Sequence, residues 1–231
     1  MKIKGFIKNT FIEYPGKIAA MIFLPNCNFR CSFCFNPELI SDSDKLKDID
    51  EREVFDFLEK NKKWIDGLVL SGGEPTLSKD LPEFIRKIKK MGFLVRIYTN
   101  GTNPEMLKQL IDEKLIDSIA MDIKAPLNEE SYEKVTNVKG MVEKVKNSIE
   151  LITNSSIDNE MRSTVLPNLH SKEDIIEMAK SIRKAKKYFL QQFIPEKTLD
   201  PKFKNCKSFT QEELEIIKDE CNKYIPTELR I

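Results

Sequence analysis

Six apolar segments of strand length alternate with segments of helical periodicity, and this alternation limits the possible folds more than any other feature of the chain. The predicted strands are residues 18–24, 67–70, 93–99, 118–123, 161–166 and 188–193. Amphipathic helices are predicted between them, for example over residues 52–63, which Asp50 would cap, and over residues 104–113. Strict alternation of this kind implies parallel strands joined by right-handed helical crossovers.

Six βα units predict an α/β protein with a partial, open (β/α)6 TIM-like barrel, because a full barrel closes with eight units. A doubly wound sheet is the main alternative, since alternation alone does not separate the two folds. A length of 231 residues suits a single domain. We expect a core barrel over residues 14–195 and a C-terminal extension, residues 196–231, with one helix near residues 211–224. In either fold the functional residues would lie at the carboxyl ends of the strands.

The composition excludes several classes of function. The formal net charge is +1, so no overall field favours nucleic acid or an anionic membrane as a partner. No apolar run approaches the roughly 20 residues needed to cross a bilayer, and the first residues lack the apolar core of a secretory signal. We therefore expect a cytoplasmic protein that binds neither membranes nor nucleic acid. The single histidine, His170, excludes an enzyme that depends on several histidines.

Three of the five cysteines lie within eight residues directly after the first predicted strand. These are Cys27, Cys31 and Cys34. In a cytoplasmic protein such thiols are more often metal ligands or catalytic groups than disulfide partners. Thiolates suit zinc or an iron–sulfur cluster, and a redox dithiol or thiols without a function are further alternatives. A zinc site would need a fourth ligand, for which the candidates are Cys206, Cys221 and His170. A [4Fe–4S] cluster held by only three thiolates keeps one iron open, which indicates chemistry at that iron.

Polar or glycine-rich residues follow the later strands, at the end where the site of either fold would lie. These residues are Gly72, Gly73, Glu74, Thr99, Asn100, Asp122, Lys124, Arg162, Gln191 and Gln192. Gly72 and Gly73 allow the backbone to approach a ligand without an intervening Cβ, although the segment also suits a plain turn. Asp122 and Lys124 alternate along one strand, so both should point to the same face, to bind a ligand or to form a salt-bridged strand end. Arg162 is either a carboxylate clamp or a surface arginine.

The cysteine loop, with Phe33 before its last cysteine, and the Gly-Gly-Glu-Pro segment that begins at Gly72 resemble the radical S-adenosylmethionine (radical SAM) enzymes. The resemblance extends over most of the chain, from Tyr14 to Phe193. It implies one [4Fe–4S] cluster on the three loop cysteines, with the amino and carboxylate groups of S-adenosylmethionine bound to the open iron. The reduced cluster would cleave this cofactor to methionine and a 5′-deoxyadenosyl radical, which abstracts a hydrogen atom.

The resemblance also implies cofactor contacts by residues on several strand ends. These are Phe33, Gly72, Gly73, Glu74, Thr99, Asn100, Asp122, Lys124, Arg162 and Gln192. Backbone carbonyls of the glycine segment would receive the methionine ammonium, beside the negative charge of Glu74. Lys124 would meet the cofactor carboxylate and Gln192 the ribose hydroxyls, whereas Thr99 and Asn100 equally suit a plain turn. The remaining candidates are expected to take no part; they are His170, an ordinary loop residue, Cys206 and Cys221.

Within the superfamily, the segments YPGK, CNFRCSFC, SGGEP and TNG are similar to the activating enzymes of glycyl-radical enzymes. The similarity is greatest to the activator of anaerobic ribonucleoside-triphosphate reductase and next to that of pyruvate formate-lyase. It implies an anaerobic oxidoreductase whose substrate is a glycine in a large partner protein and whose electron donor is a flavodoxin or a ferredoxin-type protein. Two features depart from the pyruvate formate-lyase activator. Tyr98 stands where that enzyme has an aspartate of its monovalent-cation site, and Gln191 and Gln192 stand where it has a histidine.

Two alternatives remain open. A small-molecule radical SAM enzyme, such as 7-carboxy-7-deazaguanine synthase, shares the chemistry but would need a magnesium and base-recognition site, for which no clear segment is present. A non-catalytic iron–sulfur electron carrier or a zinc-binding interaction module would need only the cysteines, but would gain nothing from six βα units and an open iron. No cysteine lies between Cys34 and Gly72, so the chain is expected to hold one cluster.

Overall fold

The computed structural model describes residues 1–231, which form eight strands and eight α-helices. The strands are β1 (Gly5–Thr10), β2 (Ala19–Leu24), β3 (Gly67–Gly72), β4 (Leu94–Thr99), β5 (Ser118–Asp122), β6 (Asp158–Val165), β7 (Tyr188–Gln192) and β8 (Thr227–Arg230). The helices are α1 (Glu38–Ser41), α2 (Glu51–Lys60), α3 (Leu81–Lys90), α4 (Pro104–Asp112), α5 (Glu129–Thr136), α6 (Val142–Asn154), α7 (Lys172–Ser181) and α8 (Gln211–Cys221). None of these helices combines the length and the apolar composition that a membrane span needs.

The strand order separates the two folds that the sequence leaves open. All strands belong to one sheet, in the order β1-β2-β3-β4-β5-β6-β7-β8. A doubly wound sheet reverses its strand order at a switch point, and no such reversal occurs here. Parallel pairing joins β2 to β3, β3 to β4, β6 to β7 and β7 to β8, whereas β1 runs antiparallel to β2. The predicted partial TIM-like barrel is confirmed, with an open sheet that ends at β1 and β8.

The chain forms two compact units. The first contains Met1–Asn28, Glu38–Thr99 and Glu105–Ile119. Its central strands are apolar, and Ile22, Leu68 and Leu70 are fully buried, as parallel strands covered on both faces require. Ile85 and Ile88 on one face of α3 add to this core. Asp50 caps α2 as predicted, because its side chain accepts a hydrogen bond from the N–H of Arg52.

The second unit contains Phe29–Pro37, Asn100–Pro104 and Ala120–Ile231. Leu190 at the centre of β7 pairs with Ser163 of β6 and with Leu229 of β8. Helix α7 begins with a capping box, in which Ser171 Oγ accepts from the N–H of Asp174 and the Asp174 carboxylate accepts from the N–H of Ser171. This reciprocal pair of hydrogen bonds satisfies two backbone donors at the start of the helix.

The six predicted strands correspond to β2–β7, and the sequence pattern indicates neither β1 nor β8. Both of these strands lie at the ends of the sheet, and most of their side chains are exposed or half-buried, so that no apolar run marks them. The region 196–231 contains α8, as expected, and also β8, which pairs with β7. The proposed boundary between core and extension at residue 195 stays a prediction.

Candidate cofactor site

The two glycines after β3 pack against the start of the cysteine loop. The N–H of Gly73 donates to the carbonyl oxygen of Leu24 at 2.9 Å. A Cβ atom on Gly73 would lie 1.8 Å from the carbonyl oxygen of Asn26, and one on Gly72 would lie 2.2 Å from that of Leu24. Gly72 also has a φ of +123°, which side chains rarely adopt. The neighbouring protein backbone alone therefore requires glycine at both positions, and a close approach of this segment to a ligand stays a prediction.

Glu74 connects the glycine segment to the end of β4. It is buried, with 1% of its surface exposed. Its Oε1 accepts hydrogen bonds from the N–H of Thr76 (3.1 Å), the hydroxyl of Thr76 (2.6 Å) and the hydroxyl of Thr99 (2.8 Å). Its own N–H donates to the carbonyl oxygen of Asn26 at 2.7 Å. The Thr99 hydroxyl thus helps to hold the Glu74 carboxylate in place. A contact of either residue with a cofactor stays a prediction.

The second half of the cysteine loop is a tight turn. The N–H of Cys34 donates to the carbonyl oxygen of Cys31 at 3.0 Å. Cys31 is buried, Cys34 is half-buried, and all five cysteines of the chain are free thiols. The buried ring of Phe33 lies nearly perpendicular to that of Phe193, with 6.5 Å between the ring centres. The interior of the second unit therefore anchors the turn through Phe33.

Asp122, at the end of β5, is the common partner of two cationic side chains. Lys124 Nζ lies 2.9 Å from Asp122 Oδ2, while Arg162 Nε and Nη2 donate to Oδ1 at 3.1 and 2.9 Å. The contact with Lys124 shows that these two side chains share a face, as their alternation predicts. Arg162 is buried, so the interpretation as a surface arginine is wrong. One carboxylate thus pairs with both cationic side chains.

The pKa values in this group follow from its pairing. Burial alone would raise the pKa of Asp122, but the charges of Arg162 and Lys124 outweigh it and lower the pKa to about 2. Burial alone would lower the pKa of Lys124, but Asp122 and then the Cys31 thiolate outweigh it and raise the pKa above its ordinary value. The Cys34 thiolate acts in the same direction. Lys124 therefore stays charged at neutral pH, within electrostatic reach of two loop cysteines.

Two residues that the sequence pattern does not single out hold the backbone of Lys124. The N–H of Lys124 donates to the hydroxyl of Tyr132 at 3.3 Å, and its carbonyl oxygen lies 2.8 Å from His170 Nε2. His170 is buried, with 1% of its surface exposed, and this burial lowers its pKa. His170 lies in the loop before α7, as expected, but its side chain is buried and hydrogen-bonded. Its contact spans 46 residues, and no local pattern of the chain encodes it.

Asn100 and Gln192 make contacts within the protein. Asn100 Oδ1 accepts from the N–H of Thr102 (3.0 Å) and from its hydroxyl (2.7 Å), the arrangement of a plain turn. The amide nitrogen of Gln192 donates to the carbonyl oxygen of Phe209 at 2.8 Å. Gln191 is half-buried at the end of β7. A ribose contact of Gln192 stays a prediction.

Tyr98, where the chain departs from the activator pattern, is engaged by the protein. Its hydroxyl donates to the carbonyl oxygen of Glu13 at 2.8 Å and also contacts the Glu13 carboxylate. The guanidinium of Arg96 lies 5.4 Å from the centre of the Tyr98 ring and 5.8 Å from that of Tyr14. The Tyr98 ring thus lies within the distance of a cation–π interaction with Arg96.

Cys221 and His170 do not suit a zinc site. Cys221 is buried with its Sγ 3.9 Å from the carbonyl oxygen of Ile175, and burial raises its pKa to about 12. Both ring nitrogens of His170 have hydrogen-bond partners within the protein. Cys206 follows the 3-10 helix Pro201–Asn205. The cluster assignment rests on the three thiols of the loop sequence, which are the soft donors that a [4Fe–4S] cluster with one open iron takes.

Comparison with known proteins assigns the family. The Radical SAM superfamily matches residues 21–183, more than half of the chain. The chain belongs to the radical SAM superfamily. It is similar to a protein named "Putative glycyl-radical enzyme activating enzyme" of Methanocaldococcus jannaschii, with 35% identity over 96% of this chain and 92% of that protein. It is also similar to the pyruvate formate-lyase-activating enzyme of Clostridium pasteurianum, with 26% identity over 81% of this chain and 79% of that enzyme.

A solved structure agrees on the fold. Streptococcus suis SuiB, crystallised with S-adenosylmethionine, has a TM-score of 0.65 at 15% identity, over 91% of this chain and 52% of SuiB. This chain thus spans about half of SuiB, and the likeness shows the fold alone. As a radical SAM protein the chain is an enzyme that uses a [4Fe–4S] cluster and S-adenosylmethionine, so both predicted cofactors are confirmed. The predicted likeness to activating enzymes of glycyl-radical enzymes is confirmed as well.

Proposed function

We propose that this protein activates a glycyl-radical enzyme, and that its partner is an anaerobic ribonucleoside-triphosphate reductase. The first part is carried by the similarity, over 96% of the chain, to a relative named as an activating enzyme of this kind. The second part rests on the segments YPGK and CNFRCSFC of the sequence. Glycine suits such a reaction, because a glycyl radical is stabilised by its flanking amides and has no Cβ to obstruct the approach.

In this proposal Cys27, Cys31 and Cys34 hold one [4Fe–4S] cluster through their thiolates. When bound, the cluster supplies the electron that breaks the C5′–S bond of S-adenosylmethionine, so that methionine leaves and the deoxyadenosyl carbon takes a hydrogen atom from the glycine Cα. The turn from Cys31 to Cys34 and the anchored ring of Phe33 give two of the thiolates a fixed support.

The charged group around Asp122 provides a site for the cofactor carboxylate. Lys124 and Arg162 place two cationic side chains around the carboxylate of Asp122. Cationic N–H donors of this kind suit a further carboxylate, because hydrogen bonds between charged partners are stronger than neutral ones. Glu74 and the carbonyls of Gly72 and Gly73 take the methionine ammonium, and Gln192 takes the ribose.

Three further assignments concern the domain boundary, the electron donor and the cell compartment. We place the catalytic core in residues 14–195, with residues 196–231 as an extension of the same domain. The electron comes from a flavodoxin or a ferredoxin-type protein. The cell compartment is the cytoplasm, where reducing conditions keep thiols free, as all five are here.

Cluster binding is tested by iron and sulfide analysis of protein reconstituted without oxygen. Replacement of Cys27, Cys31 or Cys34 by alanine should abolish binding of the cluster. The matched controls are Cys206→Ala and Cys221→Ala, which should keep it, because neither thiol belongs to the loop. Stoichiometric zinc with no uptake of iron would contradict the proposal.

The partner is tested by mixing reduced protein, S-adenosylmethionine and candidate glycyl-radical enzymes of the same cell without oxygen. The expected result is a doublet glycyl signal in electron paramagnetic resonance, absent when the glycine of the partner is replaced by alanine. If no candidate gains a radical while deuterium from a labelled small metabolite enters 5′-deoxyadenosine, the protein is a small-molecule enzyme. If reduced, fully loaded protein forms no 5′-deoxyadenosine with any partner, the catalytic interpretation fails and the result favours an electron carrier.

A further inference from the structure

The carboxyl end of α5 is hydrogen-bonded to the residues on both sides of Cys31. The N–H of Arg30 donates to the carbonyl oxygen of Thr136 at 2.9 Å. The side-chain amide of Asn137 donates to the carbonyl oxygen of Arg30 at 2.8 Å and to Ser32 Oγ at 3.2 Å. One amide group therefore spans the buried Cys31 and joins its two neighbours.

Asn137 also ends α5, in a backbone conformation that few residues adopt. Its φ is +55° and its ψ is +30°, the left-handed region, and its N–H donates to the carbonyl oxygen of Glu133 at 2.8 Å. Asparagine is one of the few residues other than glycine that tolerate this conformation. Glycine would satisfy the backbone but would lack the amide, so the position combines a helix end with a contact to the cysteine loop.

The same helix holds the segment of Lys124. The hydroxyl of Tyr132 accepts from the N–H of Lys124 at 3.3 Å, and the Tyr132 ring meets that of Phe29 edge to face, with 6.2 Å between the ring centres. Tyr132 is 1% exposed. Because Phe29 belongs to the cysteine loop, α5 contacts this loop at two points and the Lys124 segment at a third.

The separation of these two segments sets the distance between Cys31, a proposed ligand of the cluster, and the charged side chain of Lys124. The interaction of two charges in a partly buried site changes strongly with their distance. A helix that holds both segments therefore fixes the field that Lys124 feels from Cys31 and the field that Cys31 feels from Lys124.

We propose that Asn137 is a positioning residue for Cys31, and that α5 is the common support that sets Cys31 against Lys124. The inference rests on the proposed binding of the cluster by Cys31. It assigns to Asn137 the role that outer hydrogen bonds have in metal sites, where they fix the orientation of a ligand.

Two variants separate the side chain from the helix end. Asn137→Gly keeps the left-handed backbone and removes the amide, while Asn137→Asp keeps the size of the side chain and removes its hydrogen-bond donor. Lys114→Gly is the matched control, since exposed Lys114 has a φ of +53° after α4. Each protein is reconstituted, and loss of the cluster to an iron chelator is followed by absorbance. The electron paramagnetic resonance spectrum of the reduced cluster with S-adenosylmethionine is recorded. The thermal unfolding of the iron-free protein is measured as well.

Both Asn137 variants should lose the cluster about tenfold faster than the wild type, the lower end of what outer-shell changes cost in metal sites. Both should also show a shifted resonance spectrum, while Lys114→Gly matches the wild type in both measurements. A purely structural role would instead lower the melting temperature and leave the cluster measurements unchanged, which would overturn the inference. If Asn137→Gly fails to fold, the cluster measurements on Asn137→Asp alone test the inference. If the wild type takes up no iron, the proposed function fails rather than the role of Asn137.

Discussion

The imidazole of His170 lies 2.8 Å from the carbonyl oxygen of Lys124, across 46 residues of the chain. His170 Nδ1 accepts from the N–H of Leu166 at 3.4 Å, so the proton of the neutral ring belongs on Nε2, which donates to Lys124. A protonated ring would have a hydrogen on both nitrogens and would lose the contact with Leu166. The contact with Leu166 therefore requires a neutral His170, whereas the Nε2–H that donates to Lys124 is present in both protonation states.

The free energy of unfolding should depend on pH through the protonation of His170. Burial lowers the pKa of His170 below its ordinary value of 6.5. In the unfolded chain the imidazole takes a proton near pH 6.5, whereas in the folded protein it does so only at lower pH. His170 therefore contributes full stability above about pH 6.5 and loses it as the pH falls through the folded pKa. Urea unfolding of the wild type and of His170→Gln from about pH 8 to about pH 5 should show this loss only in the wild type.

Nuclear magnetic resonance gives a direct check of the same prediction. The chain contains one histidine, so the imidazole signals of the folded protein belong to His170 alone. We expect a titration midpoint below 6.5 in the folded protein and near 6.5 in urea. A midpoint at or above 6.5 in the folded protein would contradict the burial and the hydrogen bonds described above.

Asp122→Asn should destabilise the protein, because it removes the carboxylate that pairs with both Lys124 and Arg162. Removal of one partner of a largely buried ion pair costs about 3 kcal/mol or more, and the partial exposure of Asp122 argues for the lower end of that range. The free energy of unfolding in urea measures the loss. Asp158→Asn is the control, since its ion pair with Lys186 is exposed on both sides and should contribute little. Equal losses in the two variants would contradict the role of Asp122.

Local sequence patterns predict the parts of this structure whose signals are local. The six buried strands β2–β7 have apolar runs, and Asp122 and Lys124 share a face because side chains alternate along a strand. The cysteine loop is recognisable from its spacing alone. Edge strands β1 and β8 carry too few buried side chains to be noticed.

The missed parts of the site depend on contacts between distant segments. His170 meets Lys124 across 46 residues, and Asn137 meets Arg30 across 107. Gly72 and Gly73 look the same in sequence whether a ligand or a backbone carbonyl lies beside them, and only the fold shows that it is the carbonyls of Leu24 and Asn26. Contacts of this kind depend on the fold and leave no periodic pattern in the sequence from which they could be predicted.

Cys221 should be inert toward thiol reagents in the folded protein. Burial raises its pKa to about 12, so almost none of it is the reactive thiolate near neutral pH. Brief treatment of the native protein with iodoacetamide, followed by digestion and mass spectrometry, should label Cys206 and leave Cys221 unmodified. Unfolding in urea should make both react alike. Modification of Cys221 at the rate of Cys206 in the folded protein would contradict its burial.

Gly73→Ala should damage the protein more than the substitution of any glycine that has open space around it. Its new Cβ would lie 1.8 Å from the carbonyl oxygen of Asn26, a backbone atom that moves only if the start of the cysteine loop moves. Overpacking of this kind costs about 3 kcal/mol, and the displaced loop should also lower the uptake of iron. Gly140→Ala is the control, because Gly140 has a φ of +72° but a Cβ added there would meet no atom within 4 Å. It should cost about 1 kcal/mol through backbone strain and leave iron uptake unchanged. Urea unfolding and iron analysis measure the two effects, and normal iron uptake by Gly73→Ala would show that the glycine segment does not support the loop.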